Sequence, residues 1–424
     1  MTGIGSESYR RAVTVVGIGD DGCCGLTSRA LNAVARAQLL VGGERHLAFF
    51  PEFAGERLVV NNGIGAALDR IQTLAQENNV CVLASGDPLF FGIGGLVIHR
   101  VGAEHVEVLP HPSSVQWAFA RVGMKWDDAL FLSLHGRNGH GLVTRLRQHR
   151  KAAILTDPTN SPSAIARKLV EYSDPDWDAW VCENLGGTDE RVRRFTINEL
   201  SGCDDIGALN VLILARSDSA WSPPQTIPFL HEDLFAKRMP KKGLITKREV
   251  RLLSLASMGI RRNSVIWDIG AGSGSVSIEA ALLAPEGDVY AVEVDPEGIE
   301  ICRENLLTHS VDNVTVVEGR APEALDTLPA PDSVFVGGSK GSMREIVDYC
   351  IHRLQPGGHL VVNAITLENS AEAYEAFRAQ GLTPEVTLLQ ISRAEPLARY
   401  RRYEALNPIQ VFSVRKPEEG KKPE

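Results

Sequence analysis

The sequence lacks the features of three common classes of protein. No apolar run reaches the roughly 18 residues needed to span a bilayer, and the first residues have no signal-peptide layout, because their apolar run is short and ends in glycines. The seven cysteines are scattered without a CxxC pair, which argues against a zinc site or a disulfide framework. The net charge of −9 argues against a general nucleic-acid binder. We therefore expect a cytoplasmic protein with no metal, membrane segment or nucleic-acid partner.

The length of 424 residues predicts two domains. In both halves, short β-branched runs alternate with helical patterns, which predicts α/β domains with mainly parallel sheets. Residues 217–243 contain four prolines and no clear period. We place a linker at 217–240, between domains at 1–216 and 241–424, and expect its apolar portion from Phe229 to Phe235 to pack on a domain. No close repeat relates the halves, so we expect two different α/β folds, followed by a charged, disordered tail from Lys416.

The predicted strands follow from the short apolar runs. The first half offers six of them, at 12–19, 80–88, 105–110, 129–137, 152–158 and 210–216. The second half offers five, at 265–270, 289–295, 314–319, 333–338 and 359–365. Two further β-rich runs, VTLLQIS and PIQVFSVR, predict a terminal antiparallel hairpin on an otherwise parallel sheet.

A glycine loop in the second half predicts a cofactor site. The string D-I-G-A-G-S-G-S (268–275) joins a predicted strand to a helix, where glycines allow a tight turn and helix-start amides suit the carboxylate of S-adenosylmethionine. Glu293 ends the next strand, in the place of a carboxylate that grips both ribose hydroxyls. The GxGxG spacing and the following E-G-R-A-P-E loop (318–323) argue against a dinucleotide-binding dehydrogenase. The predicted cofactor residues here are Asp268, Gly270, Ala271, Gly272, Ser273, Gly274, Glu293, Arg320 and Ala321; the alternative is that the glycines serve only helix packing.

The turn after the strand at 333–338 bears on the substrate. It reads Gly337-Gly338-Ser339-Lys340. Enzymes that methylate the exocyclic amines of bases carry an Asn/Asp-Pro-Pro-Tyr-type turn here, and its absence argues against that chemistry. A glycine pair leaves space for a wide, flat substrate, although a simple turn explains it almost as well.

The second half also resembles a known family. The strings G-L-I-T-K-R-E-V-R (243–251), A-V-E-V-D, E-G-R-A-P-E-A-L, V-F-V-G-G-S and P-G-G-H-L-V-V-N-A-I-T-L-E, with the glycine loop, are similar to the decarboxylating corrin methyltransferases. This resemblance implies that Thr246 lies against the cofactor; the alternative is that Thr246 caps the following helix. Candidate contacts to substrate carboxylates are Lys247, Arg251, Lys340, Arg393, Arg399, Arg401 and Arg402. Lys247 is also a catalytic candidate, and the R-Y-R-R-Y cluster (399–403) equally suits an exposed loop.

The first half resembles the tetrapyrrole methylase family. The segment V-L-A-S-G-D-P-L-F-F-G-I-G places a tight turn at Gly86-Asp87-Pro88, and V-G-I-G supplies Gly17 and Gly19. In that family the G-D-P turn borders the cofactor pocket; the alternative is a β-turn only.

Two further features of the first half leave alternatives open. Where the first glycine turn of many relatives continues Gly-Pro-Gly, this chain has Gly19-Asp20-Asp21, and the two aspartates either contact substrate nitrogens or face water. His135 and Arg137 follow a predicted strand and are catalytic candidates. Arg137 either pairs with a substrate carboxylate or is a plain surface arginine.

The fused order resembles the two-domain corrin methyltransferases of cobalamin biosynthesis. It implies a class III methyltransferase fold that methylates carbon 5 of a carboxylate-rich precorrin. It also implies a Rossmann-like class I fold that methylates carbon 15 and decarboxylates the carbon 12 acetate, with one S-adenosylmethionine site in each. We expect a homo-oligomer. The alternatives are a tRNA or protein methyltransferase with an accessory domain, a diphthamide-type methylase, and a non-enzymatic binding module.

Overall fold

The computed structural model describes residues 12–60, 63–216, 229–237 and 245–418. Most of the predicted linker at 217–240, and the tail beyond Glu418, lie outside the described residues. The described chain divides into two compact units. Unit 1 falls within Met1–Asn138, Lys151–Arg167 and Asp176–Ser219, and unit 2 within Gly139–Arg150, Lys168–Pro175 and Ala220–Glu424. No helix in the described part of the chain is both long and apolar enough to cross a membrane.

The first sheet of unit 1 is wholly parallel. Its strands are β1 (Val13–Ile18), β2 (Leu39–Gly42), β3 (Glu56–Val59), β4 (Val80–Ser85) and β5 (Val106–Leu109), in the order β3-β2-β4-β1-β5. Helices α1 (Ser28–Arg36), α2 (Glu44–Ala48), α3 (Ile64–Leu74) and α4 (Gly94–Val101) accompany it. On the inner strand β1, Val13 and Val15 join one apolar cluster, whereas Val16 and Ile18 join another. Apolar cover on both faces explains why β1 is a continuous apolar run.

The second sheet of unit 1 corrects the expectation of a mainly parallel arrangement. Its strands are β6 (Leu130–Ser133), β7 (Lys151–Leu155), β8 (Asp178–Glu183), β9 (Arg191–Thr196) and β10 (Asn210–Ala215), in the order β6-β7-β10-β8-β9. The β6–β7 pair is parallel, and the other three pairs are antiparallel. Helix α5 (Ser114–Val122) precedes β6, and the helices between the strands are α6 (Leu142–Leu146), α7 (Pro162–Glu171) and α8 (Ile197–Ser201). The prediction failed because an apolar run marks a strand but not its direction.

Helix α6 belongs to unit 2 because a distant carboxylate caps it. Asp312 Oδ2 accepts a hydrogen bond from the Val143 amide at 3.0 Å, and Oδ1 accepts one from the Thr144 amide at 2.8 Å. The Lys168 ammonium lies 2.8 Å from the same buried carboxylate. Helix-start amides need such partners, so α6 depends on residues far from it in sequence.

The main sheet of unit 2 has the order β13-β12-β11-β14-β15-β19-β16. Its strands are β11 (Val265–Ile269), β12 (Asp288–Glu293), β13 (Val314–Glu318), β14 (Ser333–Val336), β15 (His359–Ala364), β16 (Glu385–Leu389) and β19 (Ile409–Arg415). The first five run parallel, and β19 is antiparallel to both β15 and β16. The Rossmann-like fold with a terminal antiparallel pair is therefore confirmed. A separate hairpin, β17 (Ser392–Leu397) and β18 (Tyr400–Ala405), was not predicted.

Helices cover both faces of this sheet. They are α9 (Arg248–Ser257), α10 (Ser275–Leu283), α11 (Pro296–Thr308), α12 (Met343–Arg353) and α13 (Leu367–Ala379). The neighbouring residues Ile266 and Trp267 of β11 enter clusters on opposite faces. The order reverses at β11, whose neighbours are β12 and β14. A crevice at such a switch point, outside the carboxyl ends of the strands, is where open α/β sheets bind ligands.

Candidate functional site

A cavity of about 770 Å³ opens in unit 2 at the carboxyl ends of β11, β12 and β14. This volume lies within the usual range for small-molecule sites, roughly 300–1,000 Å³. Many of the residues predicted to bind cofactor or substrate line it: Thr246, Lys247, Gly270, Ala271, Gly272, Ser273, Glu293, Arg320, Ala321, Lys340 and Arg393. Folding therefore brings together segments that are up to about 150 residues apart in the chain.

The glycine loop between β11 and α10 requires glycine for both reasons considered from the sequence. Gly270, Gly272 and Gly274 have φ values of +75°, +54° and +73°, which side chains rarely adopt. A Cβ on Gly270 would lie 2.8 Å from the backbone nitrogen of Gly338, and one on Gly274 would lie 2.5 Å from Cys302 Sγ. The turn and the close packing around it are thus inseparable.

Glu293, the last residue of β12, holds this loop in place. Its Oε2 accepts a hydrogen bond from the Gly272 amide at 2.9 Å. Its Oε1 accepts from the amides of Val294 and Asp295, at 2.9 and 2.8 Å. A carboxylate has about four acceptor positions, so Glu293 keeps capacity for a further donor while it lines the cavity.

Asp268 supports the loop from beneath and does not line the cavity. Its side chain is fully buried, and Oδ2 accepts a hydrogen bond from the Ser277 hydroxyl. Burial, reinforced by the charge of Glu293, raises the pKa of Asp268 to about 7. We therefore assign Asp268 a structural role in supporting the glycine loop, and we assign it no direct contact with a ligand.

Thr246 is not the cap of helix α9, which corrects one of the two interpretations offered above. The helix begins at Arg248, and Lys247 occupies the N-cap position. The Lys247 side chain forms no capping hydrogen bond. Instead, Glu232 Oε1 accepts a hydrogen bond from the Arg248 amide at 2.8 Å. Thr246 and Lys247 are left in the cavity wall.

Arg251 is wrong as a candidate substrate contact. Its side chain is 0% exposed. Nη2 lies 2.8 Å from Glu279 Oε1, and Nη1 donates to the Thr246 carbonyl at 2.7 Å. Arg251 therefore anchors the segment that carries Thr246, and it has no route to a ligand.

Arg393 lines the cavity, but two carboxylates already occupy its guanidinium. Nη2 lies 2.9 Å from Glu232 Oε1 and 2.5 Å from Glu249 Oε2. Burial alone would raise the pKa of Glu232, but hydrogen bonds from Arg393 and from the Arg248 amide lower it to about 2. A third carboxylate, from a substrate, would meet a cation that is already compensated.

The R-Y-R-R-Y cluster (399–403) lies on the β17–β18 hairpin, and its residues from Tyr400 onward belong to strand β18. The alternative prediction for this cluster was an exposed loop. Cross-strand partners share one face of a sheet, and Glu395 pairs with Arg402 while Arg393 pairs with Glu404. Arg402 therefore continues the face whose members Arg393, Glu395 and Glu404 line the cavity. Side chains alternate along a strand, so Arg401 lies on the opposite face. Arg399 lies in the turn that connects β17 to β18, with its guanidinium 5.0 Å from the ring centre of Tyr400.

The predicted residues of unit 1 meet at one edge of the parallel sheet. A Cβ on Gly17 would lie 2.1 Å from the Gly86 carbonyl oxygen, and one on Gly19 would lie 2.7 Å from His111 Cε1. Gly86 has a φ of +58° and lies against Ser113. These glycines bring together the chain after β1, β4 and β5.

The Gly86-Asp87-Pro88 segment forms a closed turn. Asp87 Oδ1 accepts a hydrogen bond from the Leu89 amide at 2.8 Å, and Pro88 is buried. The segment is therefore a turn, as the sequence predicts. Its contact with a cofactor remains a prediction.

Asp20 and Asp21 have partners in the protein, so the interpretation that they simply face water is wrong. Asp20 lies 3.3 Å from the Arg45 guanidinium, and Asp21 lies 3.4 Å from His111 Nε2. The sequence gives no sign of these partners, which follow other strands.

His135 and Arg137 lie on an exposed loop after β6, where the sequence places them. His135 Nδ1 is 3.4 Å from the Thr156 carbonyl oxygen. The Arg137 guanidinium lies 6.0 Å from the ring centre of Phe91, whose φ of +54° is unusual for an aromatic residue. Both side chains are accessible to a ligand.

Comparison with known proteins matches the two halves of the chain to two different families. Residues 12–201 match a family model described as Tetrapyrrole (Corrin/Porphyrin) Methylases, and residues 237–416 match one described as Precorrin methyltransferase domain. A Sinorhizobium sp. protein named precorrin-6Y C(5,15)-methyltransferase [decarboxylating] is 33% identical over 405 residues, 95% of each chain. The chain belongs to the precorrin-6Y C(5,15)-methyltransferase family. It is a methyltransferase, and S-adenosylmethionine is the methyl donor that this family implies.

Two shorter relatives each match about half of the chain. A Salmonella typhimurium protein named cobalt-precorrin-7 C(5)-methyltransferase is 38% identical over 200 residues, 47% of this chain and 98% of its own length. A Pyrobaculum calidifontis protein named probable cobalt-precorrin-6B C(15)-methyltransferase (decarboxylating) is 38% identical over 195 residues, 45% of this chain and 97% of its own length. The name precorrin-6Y C(5,15)-methyltransferase [decarboxylating] thus combines the two activities that the names of these shorter relatives give separately.

In this member of the family, sequence reasoning missed several cavity residues. They include Asp295, Ser339, Asn363, Glu395 and Glu404. Ser339 has a local signal, because it follows the glycine pair after β14. Asp295 and Asn363 lie in the quoted strings A-V-E-V-D and P-G-G-H-L-V-V-N-A-I-T-L-E. Glu395 and Glu404 have no signal, since the sequence did not predict the hairpin that carries them.

Proposed function

We propose that this chain methylates a precorrin at carbons 5 and 15 and removes the carboxyl group of the carbon 12 acetate, converting precorrin-6B to precorrin-8 in cobalamin biosynthesis. The observation that carries the proposal is the match over 95% of both chains to a relative named for both methylations and for decarboxylation. Mass spectrometry of the product made from precorrin-6B tests it. We expect two methyl groups gained and one CO₂ lost. A product with one methyl group, or with the carboxyl group retained, would overturn it.

We assign one reaction set to each half. Residues 1–216 would methylate carbon 5, and residues 241–424 would methylate carbon 15 and decarboxylate. The family models that match 12–201 and 237–416 support this division, as do the half-length relatives with one activity each. Because unit 2 includes residues 139–150 and 168–175, point variants in the full chain test the assignment better than separate fragments.

We propose two S-adenosylmethionine sites. In unit 2 the residues fit the group, because three glycines have left-handed backbones, two of them, Gly270 and Gly274, leave no room for a Cβ, and Glu293 keeps acceptor capacity for a ribose hydroxyl. When bound, S-adenosylmethionine supplies an electrophilic methyl group. In unit 1 the proposed site comprises Gly17, Gly19, Gly86, Asp87 and Pro88, and the tetrapyrrole methylase match supports it.

Catalysis in unit 2 would be mostly positioning. A meso carbon of the reduced macrocycle is enamine-like, so it attacks a methyl group directly. No side chain is needed to ionise that carbon first. The chain's task is to hold that carbon in line with the methyl group at about 3 Å, which contributes roughly 7–11 kcal/mol in favourable cases. The glycine loop and the loop after β14, which touch at Gly270 and Gly338, would provide the two sides of that alignment.

Decarboxylation requires an electron sink, which the protonated macrocycle provides, and a proton donor. Of the three catalytic candidates, Lys247 lines the cavity of unit 2, so we propose it as the general acid. The apolar side chains of Ile245, Ile346 and Ile365 line the same cavity and would reduce the hydration of a carboxylate placed beside them. His135 and Arg137 belong to unit 1 and are proposed contacts for the carbon 5 reaction. Lys247→Met should slow CO₂ release more than carbon 15 methylation; equal effects on both would remove Lys247 from the acid role.

We also propose a cytoplasmic homo-oligomer. The seven cysteines are free thiols, which suits a reducing compartment. The β17–β18 hairpin has no third strand in the described chain, and Tyr403 on it is 80% exposed. A two-stranded hairpin is marginal alone, and its open edges can pair with another copy. Light scattering tests this: a mass of one chain at micromolar concentration would contradict it.

A further inference from the structure

Ser339, in the loop between β14 and α12, has a buried hydroxyl that the protein leaves without a partner. Its side chain is 6% exposed and lines the cavity of unit 2. Its Oγ has no hydrogen-bond partner among the described residues. A buried hydroxyl without a partner costs stability, so one that faces a cavity indicates a contact supplied by a ligand.

The next residue, Lys340, adds a cation at the same place. Lys340 lines the cavity and is exposed, and its backbone has a φ of +46°, a conformation that a lysine rarely adopts. In the described residues its ammonium forms no ion pair, in contrast to Arg393 with its two carboxylates. Lys340 is therefore a cation with capacity for a ligand anion.

Arg320 fixes the shape of this loop. Its Nη2 donates to the Lys340 carbonyl oxygen at 3.3 Å and to Ser342 Oγ at 3.0 Å. These bonds tie Arg320, itself in the cavity wall, to the backbone of Lys340 and to Ser342, and so hold the loop that carries Ser339 and Lys340. Arg320 thus acts through its neighbours as a positioning residue.

The position of the loop indicates which ligand it contacts. The Gly337 amide donates to the Ile269 carbonyl at 2.9 Å, and Gly338 packs on Gly270, so the loop begins beside the glycine turn. The opposite side of that turn is held by Glu293, through Gly272. A ligand group at Ser339 would lie beside the methyl donor, where the methyl acceptor must be.

We propose that Ser339 and Lys340 form an anion subsite that holds a side-chain carboxylate of the substrate next to the methyl donor. A hydroxyl donor beside an ammonium matches a carboxylate in hydrogen bonding and charge. This inference rests on the proposed function, because it takes a carboxylate-rich macrocycle as the substrate. It assigns Ser339 and Lys340 to that substrate and not to the cofactor.

The test uses the full chain with Ser339→Ala, Lys340→Met and the double variant. Each single change should raise KM for the precorrin in carbon 15 methylation about tenfold, the loss of a hydrogen bond to a charged group. The affinity for S-adenosylhomocysteine and the rate of carbon 5 methylation should stay unchanged. Lys340→Arg should restore most of the loss. Arg344→Met is the matched control, because Arg344 is exposed on α12, lies outside the cavity and carries the same charge.

Two results would overturn the subsite. One is an unchanged KM in the double variant. The other is weaker binding of S-adenosylhomocysteine with an unchanged KM, which would assign Ser339 and Lys340 to the cofactor.

Fluorescence titration with uroporphyrin III, a flat macrocycle with carboxylate side chains, separates this proposal from the proposed function. Weaker binding to the double variant than to the wild type supports the subsite even if precorrin is not turned over, in which case the proposed function fails alone. If the double variant turns over precorrin with the wild-type KM, the proposed subsite is wrong and the proposed function stands. If the wild-type chain neither binds uroporphyrin III nor turns over precorrin, both proposals fail.

Discussion

Glu293 Oε2 accepts a hydrogen bond from the Gly272 amide at 2.9 Å, so the end of β12 is tied directly to the glycine loop that follows β11. The other carboxylate oxygen accepts from the two amides that follow Glu293 in the chain. The loop geometry is therefore set before a ligand arrives. Preorganisation of this kind reduces the ordering cost of binding.

The first prediction concerns that carboxylate. Glu293→Gln keeps the side-chain length and an acceptor oxygen but removes the charge, so a charge-assisted hydrogen bond to the ribose is lost. We expect S-adenosylhomocysteine to bind unit 2 roughly 10- to 100-fold more weakly, equivalent to about 1.5–3 kcal/mol. Calorimetry on the full chain measures this, with Glu345→Gln on the exposed face of α12 as the control. Unchanged affinity would remove Glu293 from the cofactor site.

The second prediction concerns the number of cofactor sites. Each half has its own glycine turns at the carboxyl edge of a parallel sheet, so S-adenosylhomocysteine should bind with a stoichiometry near two per chain. In Glu293→Gln one of the two affinities should be lost and the other kept. A stoichiometry of one in a fully active enzyme would mean that one half is a scaffold.

The third prediction concerns Asp268. Burial, with the charge of Glu293 beside it, raises its pKa to about 7, above the ordinary aspartate value of 3.8. A raised folded-state pKa means that the folded form binds the proton more tightly, so the stability contributed by this group is lost as pH rises toward 7. Relative to Asp268→Asn, the wild type should lose up to about 1.4 kcal/mol per pH unit between pH 5 and pH 7, and little more above pH 7. Denaturant unfolding of both proteins measures it; a constant difference from pH 5 to 8 would show that Asp268 titrates normally.

The fourth prediction uses the register of the hairpin. Arg402 continues the face that lines the cavity, whereas Arg401 lies on the opposite face of the same strand. Arg402→Gln should raise KM for the carboxylate-rich substrate about two- to fivefold, as expected for an exposed ion pair. Arg401→Gln removes the same charge and should leave KM unchanged. Equal effects of the two variants would indicate a general charge effect and no specific contact.

The fifth prediction concerns the buried pair Arg251 and Glu279, which lie 2.8 Å apart with no exposed surface. Arg251→Met leaves the Glu279 carboxylate buried without its cation, so the free energy of unfolding should fall by about 3–5 kcal/mol. The double variant Arg251→Met/Glu279→Leu should recover much of that loss, as urea denaturation will show. A raised KM without a loss of stability would return Arg251 to the substrate site.

The sequence predicts well what depends on neighbouring residues. The strand, glycine turn and helix of residues 265–283 are a local pattern, because glycine is needed wherever a buried strand turns sharply into a helix. The terminal antiparallel pair of unit 2 is likewise marked by two local β-rich runs, and the resemblance to a known family supports it. Strand β9, whose side chains are mostly polar or exposed, was missed since it has no apolar run to mark it.

What the tertiary structure alone decides is which charges are available to a ligand. Arg251, Arg393 and Lys340 are equivalent in the sequence as candidate contacts for a carboxylate. In the fold, Arg251 is buried against Glu279, and Arg393 is held by Glu232, 161 residues away in the chain. Lys340 has no such partner in the described residues and faces the cavity. The sequence cannot give this distinction, because the electrostatic state of a side chain depends on groups that approach it only when distant segments pack together.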